Sequence, residues 1–249
     1  MAVRCLPPQK NLAVFFFPFF EKSRQTKEVP LRQNFFFILV LLSAISVICA
    51  PSYGFRILID PGHGGNDRGA FHFNQKEKKL TLQLAQKVRE KLRGQKPAWH
   101  VQLTRENDQY ISLEKRVDMS EPFDLMISLH GNSSELSSIE GMEVYFQPDQ
   151  KIDASSILEA IVNDLKSNAK TQQSLMLSKK LQDNWTFSPS IIRRTPFYVV
   201  EKGAVPSVLI EVGFMSNPSE LKKLLVDSYQ EEIAQSIVNA LVAYHSSLE

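Results

Sequence analysis

The sequence predicts an α/β fold of three layers, in which a mainly parallel central sheet of about six strands is flanked by helices. Short runs of β-branched and aliphatic residues alternate with longer segments in which apolar residues recur every three or four positions. This alternation is typical of βαβ units, whose strands lie parallel in one sheet. The segment after residue 52 contains no repeat and no low-complexity linker, and its roughly 200 residues are enough for one core. We therefore predict a single domain over residues 53–249.

Six short apolar runs are the predicted strands. They span residues 56–60, 100–104, 125–129, 142–146, 197–200 and 208–212. The segments between them show helical spacing: Leu80, Leu84 and Val88, for example, fall on one face of a helix predicted over residues 78–92. Further helices are predicted over residues 157–165, 172–184, 218–225 and 233–241.

The charge distribution argues against a nucleic-acid partner. The chain has 29 basic and 27 acidic residues, of which six and two fall in residues 1–52. The remaining 23 basic and 25 acidic residues give residues 53–249 a net charge of −2, which provides no attraction to a polyanion. Both cysteines, Cys5 and Cys49, also lie in the first 52 residues. The domain therefore contains no disulfide, no cysteine nucleophile and no Cys-ligated metal.

The N-terminal segment is predicted to be an export signal. Residues 35–50 form an uncharged apolar run of sixteen residues, which Arg32 precedes and the small residues Ala50 and Ser52 end. That pattern is typical of a secretory signal peptide, whereas a membrane-spanning helix needs about 20 apolar residues. We predict that residues 1–52 are a leader removed near Ser52, and that the domain is exported to the periplasm or cell wall. The alternative is an uncleaved leader that anchors the chain to the membrane.

Histidines follow two predicted strands, at the edge of the sheet where α/β proteins bind ligands. His63 stands in the sequence PGHGG directly after residues 56–60, and His130 directly follows residues 125–129. The glycines around His63 leave space for a ligand close to the backbone, but they match neither a dinucleotide-binding fingerprint nor a P-loop. A single histidine at a strand end is more often a structural residue. Two of them at neighbouring strand ends favour a functional site.

Two glutamates are candidates for the same site. Glu211 lies within the apolar run VLIEVGF, where a carboxylate is costly to bury without a task or a partner; its alternative role is to accept hydrogen bonds from the backbone. Glu77 stands at the start of a predicted helix, where the helix dipole alone would favour an acidic residue. Catalytic zinc sites use three protein ligands, and two histidines with one glutamate are a common set. The residues alone leave the identity of the third ligand open.

Six segments of the chain occur in the order typical of one family and cover nearly all of the predicted domain. They are ILIDPGHGGNDRGA (57–70), EKKLTLQLA (77–85), LTREND (103–108), DLMISLHGNSS (124–134), GMEVYF (141–146) and PSVLIEVGFMSNPSE (206–220). In these segments the chain resembles the zinc-dependent N-acetylmuramoyl-L-alanine amidases of the amidase_3 type. The segments around His63 and Glu211 are the most specific.

The resemblance implies a role for each candidate residue. His63, Glu77 and His130 would bind one Zn²⁺ ion per chain, and Glu211 would be the catalytic carboxylate. The implied reaction is hydrolysis of the amide bond between N-acetylmuramic acid and the first L-alanine of the stem peptide. Peptidoglycan is therefore the expected partner, and the sequence identifies no activator protein.

Two further residues are predicted to contact the substrate. Asn132 lies close after His130, and Arg193 takes the place of a basic residue in a family segment whose preceding arginine is absent here. Arg105 and Asp108 are expected to hold the turn after their strand. Two other functions stay open. One is a zinc peptidase or deacetylase that acts on the same polymer with the same ligands, and the other is a wall-binding protein without activity.

Overall fold

The computed structural model describes residues 54–147 and 157–249, without the side chains of residues 157–160 and of Asp164. The predicted leader and its cleavage near Ser52 lie outside the described residues, so both stay predictions. Within the described ranges, no helix is both long enough and apolar enough to cross a membrane.

Six of the strands form one sheet. The strands are β1 (Arg56–Pro61), β2 (Phe71–His72), β3 (Gln75–Lys76), β4 (His100–Leu103), β5 (Leu125–Asn132), β6 (Met142–Phe146), β7 (Ser190–Arg194) and β8 (Ser207–Phe214). The order across the sheet is β4-β1-β5-β8-β6-β7, and β2 and β3 form a separate hairpin. Neighbouring strands of the sheet are parallel except for β6 and β8, which are antiparallel. The predicted mainly parallel sheet of about six strands is therefore confirmed.

Helices cover both faces of the sheet. They are α1 (Glu77–Gln95), α2 (Leu113–Ser120), α3 (Ile157–Asp183), α4 (Tyr198–Lys202), α5 (Pro218–Leu224) and α6 (Asp227–His245). Helices α1, α3 and α6 pack together over one face, and α2 and α4 pack over the other. Successive side chains of a strand point to opposite faces, so Ile57 and Ile59 belong to the first core and Leu58 to the second. This arrangement has the three layers that the sequence predicts; α2 and the β2–β3 hairpin are absent from the prediction.

The prediction of a strand over residues 197–200 is wrong. Phe197 is the extended residue before α4, and its carbonyl oxygen accepts hydrogen bonds from the N–H groups of Val200 and Glu201. A four-residue apolar run fits a strand or a buried helical turn equally well, and here the turn buries its two valines in the second core. The sixth strand of the sheet is β7, an edge strand that escapes prediction because its side chains are only partly buried and two are arginines.

The prediction of two helices over residues 157–165 and 172–184 is also corrected, because one continuous helix, α3, spans both segments. The described side chains in the first half of α3 are mostly exposed: Ile161 and Leu165 are 52% and 64% exposed, whereas Leu177 in the second half belongs to the core. Helical spacing shows which residues share a face. It does not show whether another element covers that face.

Two leucines provide a test of this packing. Leu84→Ala removes a side chain of α1 that has no exposed surface, so we expect the free energy of unfolding to fall by about 2–5 kcal/mol. Leu165→Ala is the matched control on the exposed half of α3, and it should change the free energy by less than about 0.5 kcal/mol. Urea denaturation followed by circular dichroism measures both values, and equal losses would contradict the packing.

Candidate metal and catalytic site

Three adjacent strands bring the candidate site residues together. His63 lies two residues after the end of β1, His130 lies near the end of β5, and Glu211 lies in β8. β5 pairs with both β1 and β8, and His130 is directly beside Glu211 in the second of these pairings. Glu77 is the first residue of α1 and completes the group from the helix layer.

His63, Glu77 and His130 converge on one point. Glu77 Oε1 lies 2.9 Å from His63 Nε2 and 2.9 Å from His130 Nδ1. One potential ligand atom from each of the three side chains lies within 4.8 Å of the other two, and within residues 54–147 and 157–249 this is the one such group of His, Cys, Asp or Glu residues. The structure thus places the two histidines and Glu77 where a single ion could contact all of them.

The donor set fits a zinc ion. Zinc binds nitrogen and carboxylate oxygen at about 2.0–2.1 Å in a tetrahedron, which separates neighbouring ligands by about 3.3 Å. Glu77 Oε1 therefore needs to move only a few tenths of an ångström from each nitrogen. The other ring nitrogen of His63, Nδ1, lies 2.8 Å from Asp67 Oδ2, a contact that fixes the orientation of a ligating imidazole. Three protein ligands leave a fourth position for water or substrate, as catalytic zinc sites require.

The charge of Glu77 is balanced although the residue is only 4% exposed. Burial by itself would raise the pKa of this carboxyl group, but hydrogen bonds from His130 and His63 outweigh the burial and lower the pKa well below its usual value. The backbone N–H groups of Ala70 and Gly131 also donate to this carboxylate, at 2.8 and 3.1 Å. Glu77 therefore stays ionised at neutral pH, which is the state that metal binding needs.

Glu211 has a contrasting environment. Its Oε2 atom is buried and accepts no hydrogen bond within the described residues. Burial raises the pKa of Glu211 to about 7; the charge of His130 opposes this effect, and the charges of Glu77 and Glu143 add to it. A carboxyl group with a pKa near neutrality and a free acceptor atom is suited to take up and release a proton.

The loop after β1 places His63 through an uncommon backbone conformation. His63 has a φ of 62°, in the left-handed region that residues other than glycine seldom adopt. The ligands also approach two glycines closely. A Cβ atom at Gly62 would lie 2.3 Å from the ring of His130, and a Cβ atom at Gly69 would lie 2.4 Å from Glu77 Oε2. Neither position accepts a side chain without displacing a candidate ligand.

Two buried arginines hold this loop. Arg105 donates hydrogen bonds to the carbonyl oxygens of Pro61 and Gly62 at 2.9 and 2.8 Å. Arg116 donates to the carbonyl oxygens of Pro61 and His63 at 3.0 and 2.7 Å. These bonds satisfy carbonyl groups that a tight loop cannot pair with itself. Arg105 also donates to the carbonyl oxygen of Asn107 at 3.1 Å, in the turn after its own strand, as the sequence predicts. The bonds of Arg105 and Arg116 to the loop after β1 are not predicted.

Asp60 connects the second arginine to the sheet. Its carboxylate forms an ion pair with Arg116 and accepts hydrogen bonds from the hydroxyl groups of Thr104 and Ser128 at 2.6 and 2.7 Å. Asp60 is 1% exposed, so it fixes Arg116, and through it the loop, from the buried side of the sheet edge. Sequence reasoning misses Arg116 because its partners are distant in the chain and are mostly backbone atoms, which leave no pattern in the residue types.

The two predicted substrate contacts meet at a further glutamate. The Glu143 carboxylate accepts hydrogen bonds from Asn132 Nδ2 at 2.8 Å, from Arg193 Nε at 2.9 Å and from the hydroxyl group of Tyr145. Glu143 lies directly beside Glu211 in the pairing of β6 with β8. Asn132 lines the cavity at the site, and Arg193 is not among the lining residues. Sequence reasoning misses Glu143, although its position in the apolar run GMEVYF is the same signal that singles out Glu211.

A cavity of about 600 Å³ opens at the site. Its lining includes the three candidate metal ligands and Glu211. The lining also includes two mostly apolar segments, which are Tyr110, Ile111 and Leu113 at the start of α2 and Phe197, Tyr198 and Val199 at the start of α4. This combination of an apolar lining with a few convergent polar groups is typical of a substrate-binding pocket.

Residues 57–243 match the family model of the N-acetylmuramoyl-L-alanine amidases, Amidase_3. The chain belongs to this family. The matched range includes His63, Glu77, His130 and Glu211. It covers all six strands of the sheet apart from Arg56, the first residue of β1.

Named relatives agree with the family match. LytC of Bacillus subtilis (strain 168), an N-acetylmuramoyl-L-alanine amidase, is 32% identical over 200 residues, which cover 78% of this chain and 36% of LytC. AmiB of Haemophilus influenzae, a probable N-acetylmuramoyl-L-alanine amidase, is 30% identical over 246 residues, which cover 85% of this chain and 56% of AmiB. The chain spans less than two thirds of the length of either relative.

A solved structure of the family has the same fold. The crystal structure of the N-acetylmuramoyl-L-alanine amidase from Clostridium difficile 630 superposes with a TM-score of 0.65 at 28% sequence identity, covering 80% of this chain and 100% of that chain. The sheet and the helices on its two faces are therefore those of the amidase family.

Gly62 provides a test of the ligand geometry. Gly62→Ala places a methyl group 2.3 Å from the ring of His130, and we expect it to weaken zinc binding by about 10- to 100-fold, the usual effect of disturbing a ligand's support. Gly94→Ala in α1 is the matched control, because a Cβ atom there meets nothing within 4 Å. Zinc titration by calorimetry measures both affinities. Unchanged zinc binding by Gly62→Ala would contradict the geometry.

The pKa of Glu211 predicts how the stability of the metal-free protein depends on pH. The carboxyl group has an ordinary pKa of 4.5 and a folded-state pKa of about 7. Between these two pH values the folded state keeps the Glu211 carboxyl group protonated, whereas the unfolded state loses the proton. The stabilisation of the fold by this proton is therefore full below pH 4.5 and is lost as the pH rises through 7. Glu211→Gln removes this dependence.

The free energy of unfolding of Glu211→Gln, minus that of the parent, should therefore rise by about 3 kcal/mol from pH 4 to pH 8. Urea denaturation of both proteins in the presence of a chelator measures this difference at each pH. A difference that stays constant with pH would show that Glu211 titrates normally in the fold.

Proposed function

We propose that this chain is a zinc-dependent N-acetylmuramoyl-L-alanine amidase, which hydrolyses the amide bond between N-acetylmuramic acid and the first L-alanine of the peptidoglycan stem peptide. The observation that supports this most is the donor set of His63, Glu77 and His130 beside the unpartnered carboxylate of Glu211. The donor set is one that catalytic zinc sites use. Membership of the amidase family specifies the bond that is cleaved.

Each residue of the site has a step to perform. When bound, a zinc ion supplies a Lewis acid that polarises the carbonyl group and makes water a nucleophile near neutral pH. Glu211 accepts a proton from the attacking water at its free Oε2 atom and then donates it to the nitrogen of the departing alanine. The protonation is needed because an unprotonated amine is a poor leaving group. Asp67 holds the imidazole ring of His63 in the orientation that metal binding requires.

The burial of Glu211 argues against a wall-binding protein without activity. A buried carboxylate oxygen with no hydrogen bond costs free energy, and a binding protein gains nothing from it. A peptidase or a deacetylase with the same metal ligands would differ from an amidase in the bond that it cleaves. No contact of the described residues favours a peptidase or a deacetylase over an amidase.

We also propose that the chain acts on the cell wall outside the cytoplasm. The predicted leader over residues 1–52 supports export, and the family's substrate, peptidoglycan, lies outside the cytoplasmic membrane. The net charge of −2 over residues 53–249 is consistent with a partner other than nucleic acid.

The products identify the reaction. We expect the zinc-loaded protein to release peptides with a free alanine amino group from purified peptidoglycan and to leave glycan strands without peptide, which mass spectrometry of the digest measures. A peptidase would leave alanine attached to N-acetylmuramic acid, and a deacetylase would release acetate. Either of these product patterns would overturn the proposal that the amide bond to N-acetylmuramic acid is the bond cleaved.

Glu211→Gln tests the catalytic group. We expect the variant to lose roughly 10²- to 10⁴-fold in kcat, because the proton transfers lose their carrier, while its zinc content stays at one ion per chain. Glu135→Gln is the matched control, since Glu135 is an exposed carboxylate that does not line the cavity. Chelation should inactivate the parent and added zinc should restore it. Normal turnover by Glu211→Gln, or full activity in a verified metal-free sample, would overturn the mechanism.

A further inference from the structure

We propose that Tyr110, Ile111 and Leu113, which we call the Tyr110–Leu113 wall, bind the hexosamine ring on the acyl side of the scissile amide. The inference rests on the proposed function and extends it, because it assigns the two halves of the substrate to the two ends of the cavity. The ligand class is an N-acetylated hexosamine linked through a lactyl group to the amide.

The wall presents apolar surface to the cavity. Tyr110 is 60% exposed and Leu113 is 48% exposed, and both line the cavity together with the candidate metal ligands. Exposed apolar side chains grouped at a catalytic cavity indicate contact with a ligand. One face of a pyranose ring consists of C–H groups with hydroxyl groups around it. A tyrosine ring, with an apolar body and a polar tip, matches that surface.

The wall is held firmly against the loop after β1. Asp108 Oδ1 accepts a hydrogen bond from the N–H group of Gly65 at 2.7 Å, and a Cβ atom at Gly65 would lie 2.7 Å from the backbone nitrogen of Tyr110. Arg116, which holds the same loop, also donates to the carbonyl oxygen of Ile111 at 3.0 Å. The surface is therefore formed before the substrate arrives, and a preformed surface loses little conformational entropy on binding.

The order of the strands places the wall and Glu211 on opposite sides of the candidate metal ligands. The wall packs against the loop after β1, whereas Glu211 lies in β8, two strands beyond β1 in the sheet. His63 and His130 come from β1 and β5, the two strands between β4 and β8. Along this edge of the sheet the sequence of groups is therefore wall, metal ligands, Glu211.

The chemistry of amide hydrolysis then sets the direction of the substrate. A bond forms between the water oxygen and the acyl carbon, the carbon–nitrogen bond breaks, and one proton of that water passes through Glu211 to the departing nitrogen. The nitrogen and the stem peptide must therefore lie on the side of Glu211. The acyl carbon lies at the metal ligands, and the lactyl group with its sugar ring extends in the other direction, toward Tyr110.

The residues beyond Glu211 suit a peptide better than a sugar. Arg193 on β7 pairs with Glu143 outside the cavity lining and exposes 48% of its side chain. Asn132 lines the cavity and is hydrogen-bonded to the same glutamate. Stem peptides contain free carboxylates, which arginine binds well, whereas an N-acetylated hexosamine ring has no charge. The apolar wall, and Asn132 with the partly exposed Arg193 on the Glu143 side of the site, thus match the two halves of the substrate.

Two synthetic substrates with the same amide and the same tripeptide test the inference. One contains the disaccharide of N-acetylglucosamine and N-acetylmuramic acid, and the other replaces the disaccharide with a methyl ether on the lactyl oxygen. Zinc-loaded parent, Tyr110→Ala, Leu113→Ala and Tyr110→Phe are compared by their KM and kcat values. Phe73→Ala is the matched control, since Phe73 is 63% exposed and does not line the cavity.

We expect Tyr110→Ala to raise the KM for the disaccharide substrate by about tenfold, with kcat and the kinetics on the sugar-free substrate changed by less than about twofold. Leu113→Ala should act in the same direction, and Tyr110→Phe, which keeps the ring and loses only the hydroxyl group, should raise this KM less than Tyr110→Ala does. The Phe73→Ala control should match the parent. Equal losses by Tyr110→Ala on both substrates, or a parent that does not distinguish the two substrates, would overturn the inference while leaving the proposed function intact. A parent that hydrolyses neither substrate would overturn the proposed function and the inference with it.

Discussion

The site depends on the buried carboxylate of Glu77. One of its oxygens lies 2.9 Å from a nitrogen of His63 and from a nitrogen of His130, so this single group draws the ends of two strands and the start of α1 together. A buried carboxylate is stable only when positive charge or several donors surround it, and a divalent cation would meet that need better than hydrogen bonds alone. The same crowding explains Gly62 and Gly69, which leave the space that the ligands occupy.

Two other glutamates show how neighbouring positions acquire different roles. Glu143 and Glu211 lie side by side on adjacent strands. Glu143 accepts hydrogen bonds from Asn132, Arg193 and Tyr145, whereas an oxygen of Glu211 is buried without any. Burial without a donor favours the protonated form of Glu211 and raises its pKa. Glu211 therefore has both the free oxygen and the near-neutral pKa that proton transfer needs.

Much of the fold can be predicted from local sequence patterns, and the predictions that are wrong have a common cause. The parallel sheet and helix α1 are predicted because alternating apolar runs and helical spacing are properties of short segments. The strand predicted over residues 197–200 is instead the start of a helix, and the predicted helical face at Ile161 and Leu165 is exposed. In both cases the outcome depends on what packs against the segment, which residue spacing does not contain.

The sequence by itself determined the fold class and, through resemblance to the amidase family, the four residues proposed for the chemistry. Residue types and strand ends identify His63 and His130 because parallel strands end at the same edge of a sheet. Only the tertiary structure decided the rest. It brings Glu77 to the histidines, leaves Glu211 Oε2 without a hydrogen-bond donor among the described residues and uses Arg116 to hold the loop after β1. These contacts join residues that are far apart in the chain, and burial and hydrogen bonding become defined only once the chain has folded.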